Sequence, residues 1–233
     1  MKQKIPWNRF TVEAIVIVGS ILLAFAIDAW WEERLERELE QDYLSGFQAD
    51  LLSDGGALGT AQRRIERAVF AAEHFLLLAG TNLNGHWNVL RNYESPTLQT
   101  EFDPSSPRWF SSALNFTPAD STYITIVSNG DLRTIQDRKL RLALISYYRT
   151  EDKANDDNAV LMSGITSLTD FLLENDIDLF NPDQSYSIPG LAGVIPYLSK
   201  ARDQEHWRLS RLQNLQRNYD VVMAELDRVL AEK

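Results

Sequence analysis

The residues best suited to chemistry are few and badly spaced for it. The histidines are His74, His86 and His206. No pair has the spacing of a zinc-binding helix, and no His-Glu-x-x-His run occurs. His74 follows Glu73 and His206 follows Glu205. Adjacent side chains on a helix diverge by about 100°, so neither doublet makes a dyad, and ordinary surface or half-buried histidines are expected. Gly55-Gly56-Ala57-Leu58-Gly59 is glycine-rich, but it lacks both the preceding strand of a dinucleotide site and the Gly-Lys-Ser/Thr of a phosphate loop. Acidic residues gather at Glu151, Asp152, Asp156 and Asp157, and again at Asp176, Asp178 and Asp183. Neither group has the spacing of a calcium loop, and solvated faces account for both. Trp109, Phe110, Phe116 and Tyr123, with Tyr147 and Tyr148, form an aromatic concentration. It is a candidate partner surface or ligand pocket, although aromatics at helical spacing are more often core. No nucleophile elbow, Ser-x-x-Lys or paired-carboxylate arrangement suggests hydrolysis. The expectation is a non-enzyme with no cofactor and no bound metal.

Composition narrows the classes further. The chain has 233 residues, 44% hydrophobic and 24% charged, which suits a folded protein rather than a disordered one. It has no cysteine, so disulfides, thiolate metal sites and cysteine nucleophiles are all excluded. Net charge is −10 and unevenly placed. Residues 1–31 hold Lys2, Lys4 and Arg9 against Glu13 and Asp28, while the remainder holds 20 basic and 31 acidic residues. Such a body repels phosphate backbones, so no nucleic-acid partner is expected.

The elements that must position these residues begin with an apolar run. Residues 11–31 read TVEAIVIVGSILLAFAIDAWW, about 31 Å of helix and enough for one hydrocarbon core. Glu13 and Asp28 lie near its ends; Trp7 precedes it, and Trp30 and Trp31 close it, as an aromatic belt at two interfaces would. A cleavable leader is the sharpest rival, with Lys2 and Lys4 as its basic start and Ala24-Phe25-Ala26 as a cleavage-like site. An uncleaved span is expected. Basic residues before it and the acid-rich Glu32 to Glu40 stretch after it put residues 1–10 in the cytoplasm and residues 32–233 outside, in the periplasm of a bacterial inner membrane. Gly19, Ser20 and Ala24 supply small residues where another helix could approach closely, although small residues are common in any span.

Beyond the span the periodicity is helical. Leu35, Leu39, Tyr43, Phe47 and Leu51 recur every four residues, so the span continues into a stalk. Ser53-Asp54-Gly55-Gly56 reads as a stop, and a second helix to Ala79 makes residues 32–80 an antiparallel hairpin. Residues 81–116 read as irregular. Residues 117–174 read as helices, the first with Thr117 as N-cap, Pro118 at the first helical position and Asn129-Gly130 at its end. A long helix from about residue 137 to 174 has a polar middle that can break it. Residues 175–201 read as a loop and 202–231 as the final helix. There Leu212, Leu215, Tyr219, Val222, Leu226 and Val229 step by three and four, a heptad seam that either pairs with a partner chain or packs within its own bundle. The fold class expected is all-α: a transmembrane helix, its stalk, and a helical bundle with two long irregular loops.

Several stretches together resemble a widespread bacterial family of single-span membrane proteins that carry a domain of unknown function. They are residues 7–10, 16–24 and 28–30, then Tyr43-Leu44, Asp50-Leu51, Thr122-Tyr123, residues 128–132 and Leu140 to Tyr148. The resemblance implies an uncleaved span and a helical body, and brings no activity with it. The function expected is an anchored accessory or structural subunit docking on other membrane protein subunits within the lipid bilayer, in a respiratory or photosynthetic assembly. The alternative is an extracytoplasmic sensor or small-ligand module that signals through a partner.

Overall fold

A computed structural model describes residues 7–83, 97, 116–156, 158–177 and 192–232, with the side chains of residues 7–12, 14 and 154–162 excepted. Among the described residues the chain is all-helical. Helix α1 spans Trp7–Leu78, α2 spans Ser121–Asn129, a 3-10 turn spans Asp131–Thr134, α3 spans Arg138–Asp156, α4 spans Asn158–Glu174 and α5 spans Ile195–Ala231.

The 72 residues of α1 reach about 108 Å. The expected hairpin at Ser53–Gly56 does not form: the helix passes straight through both glycines. The physical reason is phase. Glu40, Leu44, Phe47, Leu51, Asp54, Leu58, Ala61, Ile65, Ala68, Ala72, Phe75 and Ala79 alternate by four and three and are all buried. The seam enters the glycine pair and leaves it in register. Two glycines cost a helix about 1 kcal/mol each, which the burial of Leu51, Leu58 and Ile65 outweighs at ~2 kcal/mol per side chain. Gly55 also answers to packing, because a β-carbon there would overlap the hydroxyl of Tyr219.

The first part of α1 differs. Every described side chain from Ile15 to Leu39 is exposed, including Ile15, Val16, Leu22, Leu23, Phe25, Trp30 and Trp31. By length and composition α1 is the one helix, among the described residues, able to cross a membrane.

From Glu40 onward α1 belongs to a bundle. Helix α5 runs antiparallel to it: Tyr219 lies at Gly55, His206 meets Glu73, and Val194, Leu198 and Ala201 share a cluster with Ala72, Phe75 and Ala79. Helices α3 and α4 run antiparallel to α5 in succession, with Ser146 on Asn218, the Lys153 carbonyl on Arg211, Ser163 on Gln204 and Ser167 on Lys200. Asp137 caps α3 by accepting from the Leu140 N–H at 2.8 Å, and its other oxygen accepts from Arg228 at 2.7 Å.

Two further boundaries move. Helix α5 starts at Ile195, with Pro196 in its first turn, so residues 195–201 are helix rather than loop; a proline there loses no helical hydrogen bond. Helix α2 starts at Ser121, so Thr117 is not its cap, and Asp120 makes no side-chain capping bond. The other ends follow expectation. Gly80 at φ 79° closes α1, with the Thr81 N–H donating to the Leu76 carbonyl. Gly130 at φ 77° closes α2, and glycine holds that left-handed conformation without strain.

The glycine pair gives a direct test. Gly56 faces open space, so Gly56→Ala should raise stability by up to ~1 kcal/mol, whereas a turn at this site would make it destabilising. Gly55→Ala should fail to stabilise, and adding Tyr219→Phe should relieve it only in part, because the ring carbon Cζ also stands 2.9 Å from the new β-carbon. Denaturant melts of the three variants in detergent check both expectations.

Candidate functional site

Two polar sites are built into the apolar seams. The first docks the segment from Ala119 to Gln136 along α1. Asp54 accepts from the Ala119 N–H at 2.7 Å and from the Tyr147 hydroxyl at 2.7 Å. Asp50 accepts from the Thr122 N–H at 3.0 Å. The orphan N–H groups leading into α2 are thus satisfied by carboxylates from another helix, which also suit the positive end of its dipole. Further along, the Tyr43 hydroxyl donates to Asp131 at 2.8 Å and the Gln136 N–H to Glu40 at 2.8 Å. Close approach requires Gly46, where a β-carbon would lie 2.7 Å from the Thr122 hydroxyl. Ile126, Ile135 and Phe116 pack underneath.

Burial pushes the Asp54 carboxyl above the usual carboxylate range, against its two hydrogen bonds. Burial, with Asp54 opposite, holds the Tyr147 hydroxyl protonated far above its ordinary range, so it serves as a fixed donor. Tyr123 stacks on Tyr148 with ring centroids 4.2 Å apart, and Tyr148 meets Tyr147 edge-on at 5.0 Å.

The second site is a layer between two apolar clusters. One cluster runs from Tyr43 to Val69 on α1 and from Leu209 to Val229 on α5. The other holds Ala72 to Ala79, Ile165 to Leu172 and Val194 to Ala201. Between them the His206 imidazole pairs with Glu73 at 2.9 Å, with side chains 4% and 6% exposed. One nitrogen of Arg208 bonds both oxygens of Glu205, at 2.9 and 3.1 Å, and Arg202 binds Asp203. His74 and Glu151 are buried as well. Burial pushes the Glu205 carboxyl up, with Arg208 opposing, and pushes the His74 imidazole down.

The expectation of surface or half-buried histidines is therefore corrected for His74 and His206. Glu73, the chain neighbour of His74, pairs with His206 across two helices. A signal was present. Carried backward from Leu212, the three-four seam falls on Arg208, Glu205, Ala201 and Leu198, all buried. Chemically the pair could pass a proton, but its burial keeps substrate away. Among the described residues no three His, Asp or Glu side chains are grouped to hold a metal.

The other candidates fall as follows. Leu212, Leu215, Tyr219, Val222, Leu226 and Val229 pack within their own bundle; this seam is spent inside the chain and offers no free face to a partner. Of the aromatic set, Phe116 is core and the half-buried Tyr123 packs against it; Trp109, Phe110 and His86 lie outside the described residues. Trp30 and Trp31 are exposed at the end of the apolar stretch. Trp7 opens α1, and its side chain lies outside the described set. A β-carbon at Gly19 would face open space, Ser20 donates to the Val16 carbonyl at 2.7 Å, and Ala24 is exposed.

Asp54 gives a prediction whose sign is fixed. A carboxyl raised on folding favours its protonated form in the native state, so its contribution to stability is full at low pH and is lost as pH rises through the native value. Asp54→Asn keeps an acceptor for the Ala119 N–H and removes the charge; it should flatten that part of the stability–pH curve and hold or raise stability at pH 7. Asp54→Ala strands two donors and should cost ~2–4 kcal/mol. Denaturant midpoints from pH 4 to 8 check both.

In comparison with known proteins, no family model, no curated protein and no solved structure matches this chain.

Proposed function

We propose that this is a membrane-anchored accessory subunit whose helical body docks on a larger membrane protein complex. One observation carries the reading: α1 is unbroken from an apolar, fully exposed stretch into the core of the bundle. An exposed run of Ile, Val, Leu and Phe is tolerated in lipid and not in water. The same helix then supplies the seam on which α5 and the segment from Ala119 to Gln136 are built. Anchor and body thus form one rigid element, which suits holding a surface at a fixed height and angle from a bilayer.

Only about eight residues separate Trp31 from Glu40, where burial begins; at 1.5 Å each they span ~12 Å, about the depth of a headgroup layer and a little more. Two i,i+4 pairs, Arg34–Glu38 and Arg37–Glu33, stiffen this stretch modestly. Leu35 and Leu39, 50% and 39% exposed, continue the four-residue stripe of Tyr43, Phe47 and Leu51 past the point where the bundle covers it. Basic residues before the span and acidic ones after it favour a cytoplasmic N-terminus and a periplasmic body in a bacterial inner membrane. The resemblance to bacterial single-span proteins agrees with this placement.

A sensor that signals through a partner is the second reading. It is favoured by the same continuity of α1, which links the buried ionic layer mechanically to the span.

Mild detergent extraction followed by native sizing and mass spectrometry tests the choice. Stoichiometric co-purification with other membrane subunits is expected. A lone monomer that gains thermal stability with a small molecule would favour the sensor instead. Protease added to intact spheroplasts should cleave after Trp31; protection there would overturn the periplasmic placement.

A further inference from the structure

Apart from Glu40 and Asp54, the buried polar or charged residues described fall in the stretches where one apolar cluster gives way to the other, at Glu73 and His74 on α1, Glu151 on α3 and Arg202 to Arg208 on α5. Helices α1 and α5 each cross the layer without interruption.

We propose that the bundle is built as two separately opening units joined at this layer, so that the end remote from the apolar stretch opens while the end next to it stays folded. The remote unit comprises the last turns of α1, all of α4 and the first turns of α5. The pieces of α1 and α5 are helix ends, so each can fray up to the layer without breaking its helix in the middle. Among the described residues its cluster is also the smaller, with Ala72, Ala79 and Ala201 beside Phe75 and a few leucines, against Phe47, Tyr147, Tyr148 and more leucines in the other.

The layer is a weak coupler for a physical reason. Removing two charges from water costs several kcal/mol per ion, which a buried pair recovers only in part, whereas apolar residues at the same positions would add burial to both clusters. Glu205 and Arg208 occupy seam positions where leucine would be expected. Cooperativity between the clusters is therefore lower than within either, and sub-global opening follows such boundaries.

Hydrogen exchange followed by mass spectrometry on the full chain in detergent micelles tests this. Amides of residues 72–79, 160–174 and 196–203 should exchange together, at least about tenfold faster than those of residues 44–69, 140–150 and 210–229. Two apolar replacements, Glu73→Leu with His206→Leu and Glu205→Leu with Arg208→Leu, should each narrow that gap to less than about threefold by joining the clusters. Equal exchange of the two regions in the unaltered protein would overturn the proposal, and that result needs no variant to fold. A gap that persists undiminished in both folded double variants would overturn the role of the layer.

Discussion

The structure depends on one constraint, the phase of the apolar seam along α1. From Glu40 to Ala79 an unbroken row of buried positions steps by four and three, with further buried residues beside it toward the far end. That alternation keeps one face of a helix toward its neighbours for forty residues. It lets α5 lie antiparallel along the whole length, and it carries the helix through a glycine pair that would end a helix with less to bury. Because the same helix is exposed and apolar before residue 32, whatever fixes the seam also fixes the direction of the apolar stretch relative to the bundle.

Polar residues are placed in that seam at some cost, and they do two different jobs. Asp54, with Asp50 beside it, satisfies the N–H groups leading into α2, so a short helix that could not stand alone is held in one register. Glu40 and Tyr43 fix the other end of the same segment. The contacts are specific because each donor meets one acceptor at hydrogen-bond distance, and Gly46 is what permits the approach. The Glu73–His206 pair connects α1 to α5, the Glu205–Arg208 pair lies beside it along α5, and together they divide the apolar core in two. Both sites show how charges inside a bundle choose an arrangement more than they strengthen it.

Much of the fold is legible in the sequence. The apolar stretch and its flanking tryptophans need no tertiary information, since their length and solvent preference belong to the segment alone. The helical character of residues 137–174 and the heptad steps of α5 are equally local, as are the glycine caps at Gly80 and Gly130. The polar sites were harder to read. Glu73 and Glu205 stand beside histidines in the chain, which draws attention to the wrong pairs; adjacent residues on a helix point apart, and the true partner of Glu73 is 133 positions away. Thr117 looks like a cap because its type and its following proline fit, yet the caps come from Asp54 and Asp50, more than sixty residues earlier.

By itself, then, the chain determined its helical character, a segment long and apolar enough to cross a membrane, and the face most of its helices would bury, because propensity, length and periodicity act over a few turns. Whether Gly55 and Gly56 make a turn or sit inside a helix was decided only in three dimensions. Local preference at two glycines is worth about 2 kcal/mol, and the seam on either side, once α5 and α3 supply something to pack against, is worth several times that. The same holds for the partners of Asp54, Glu73 and Glu205, which exist only after distant helices have been brought into register.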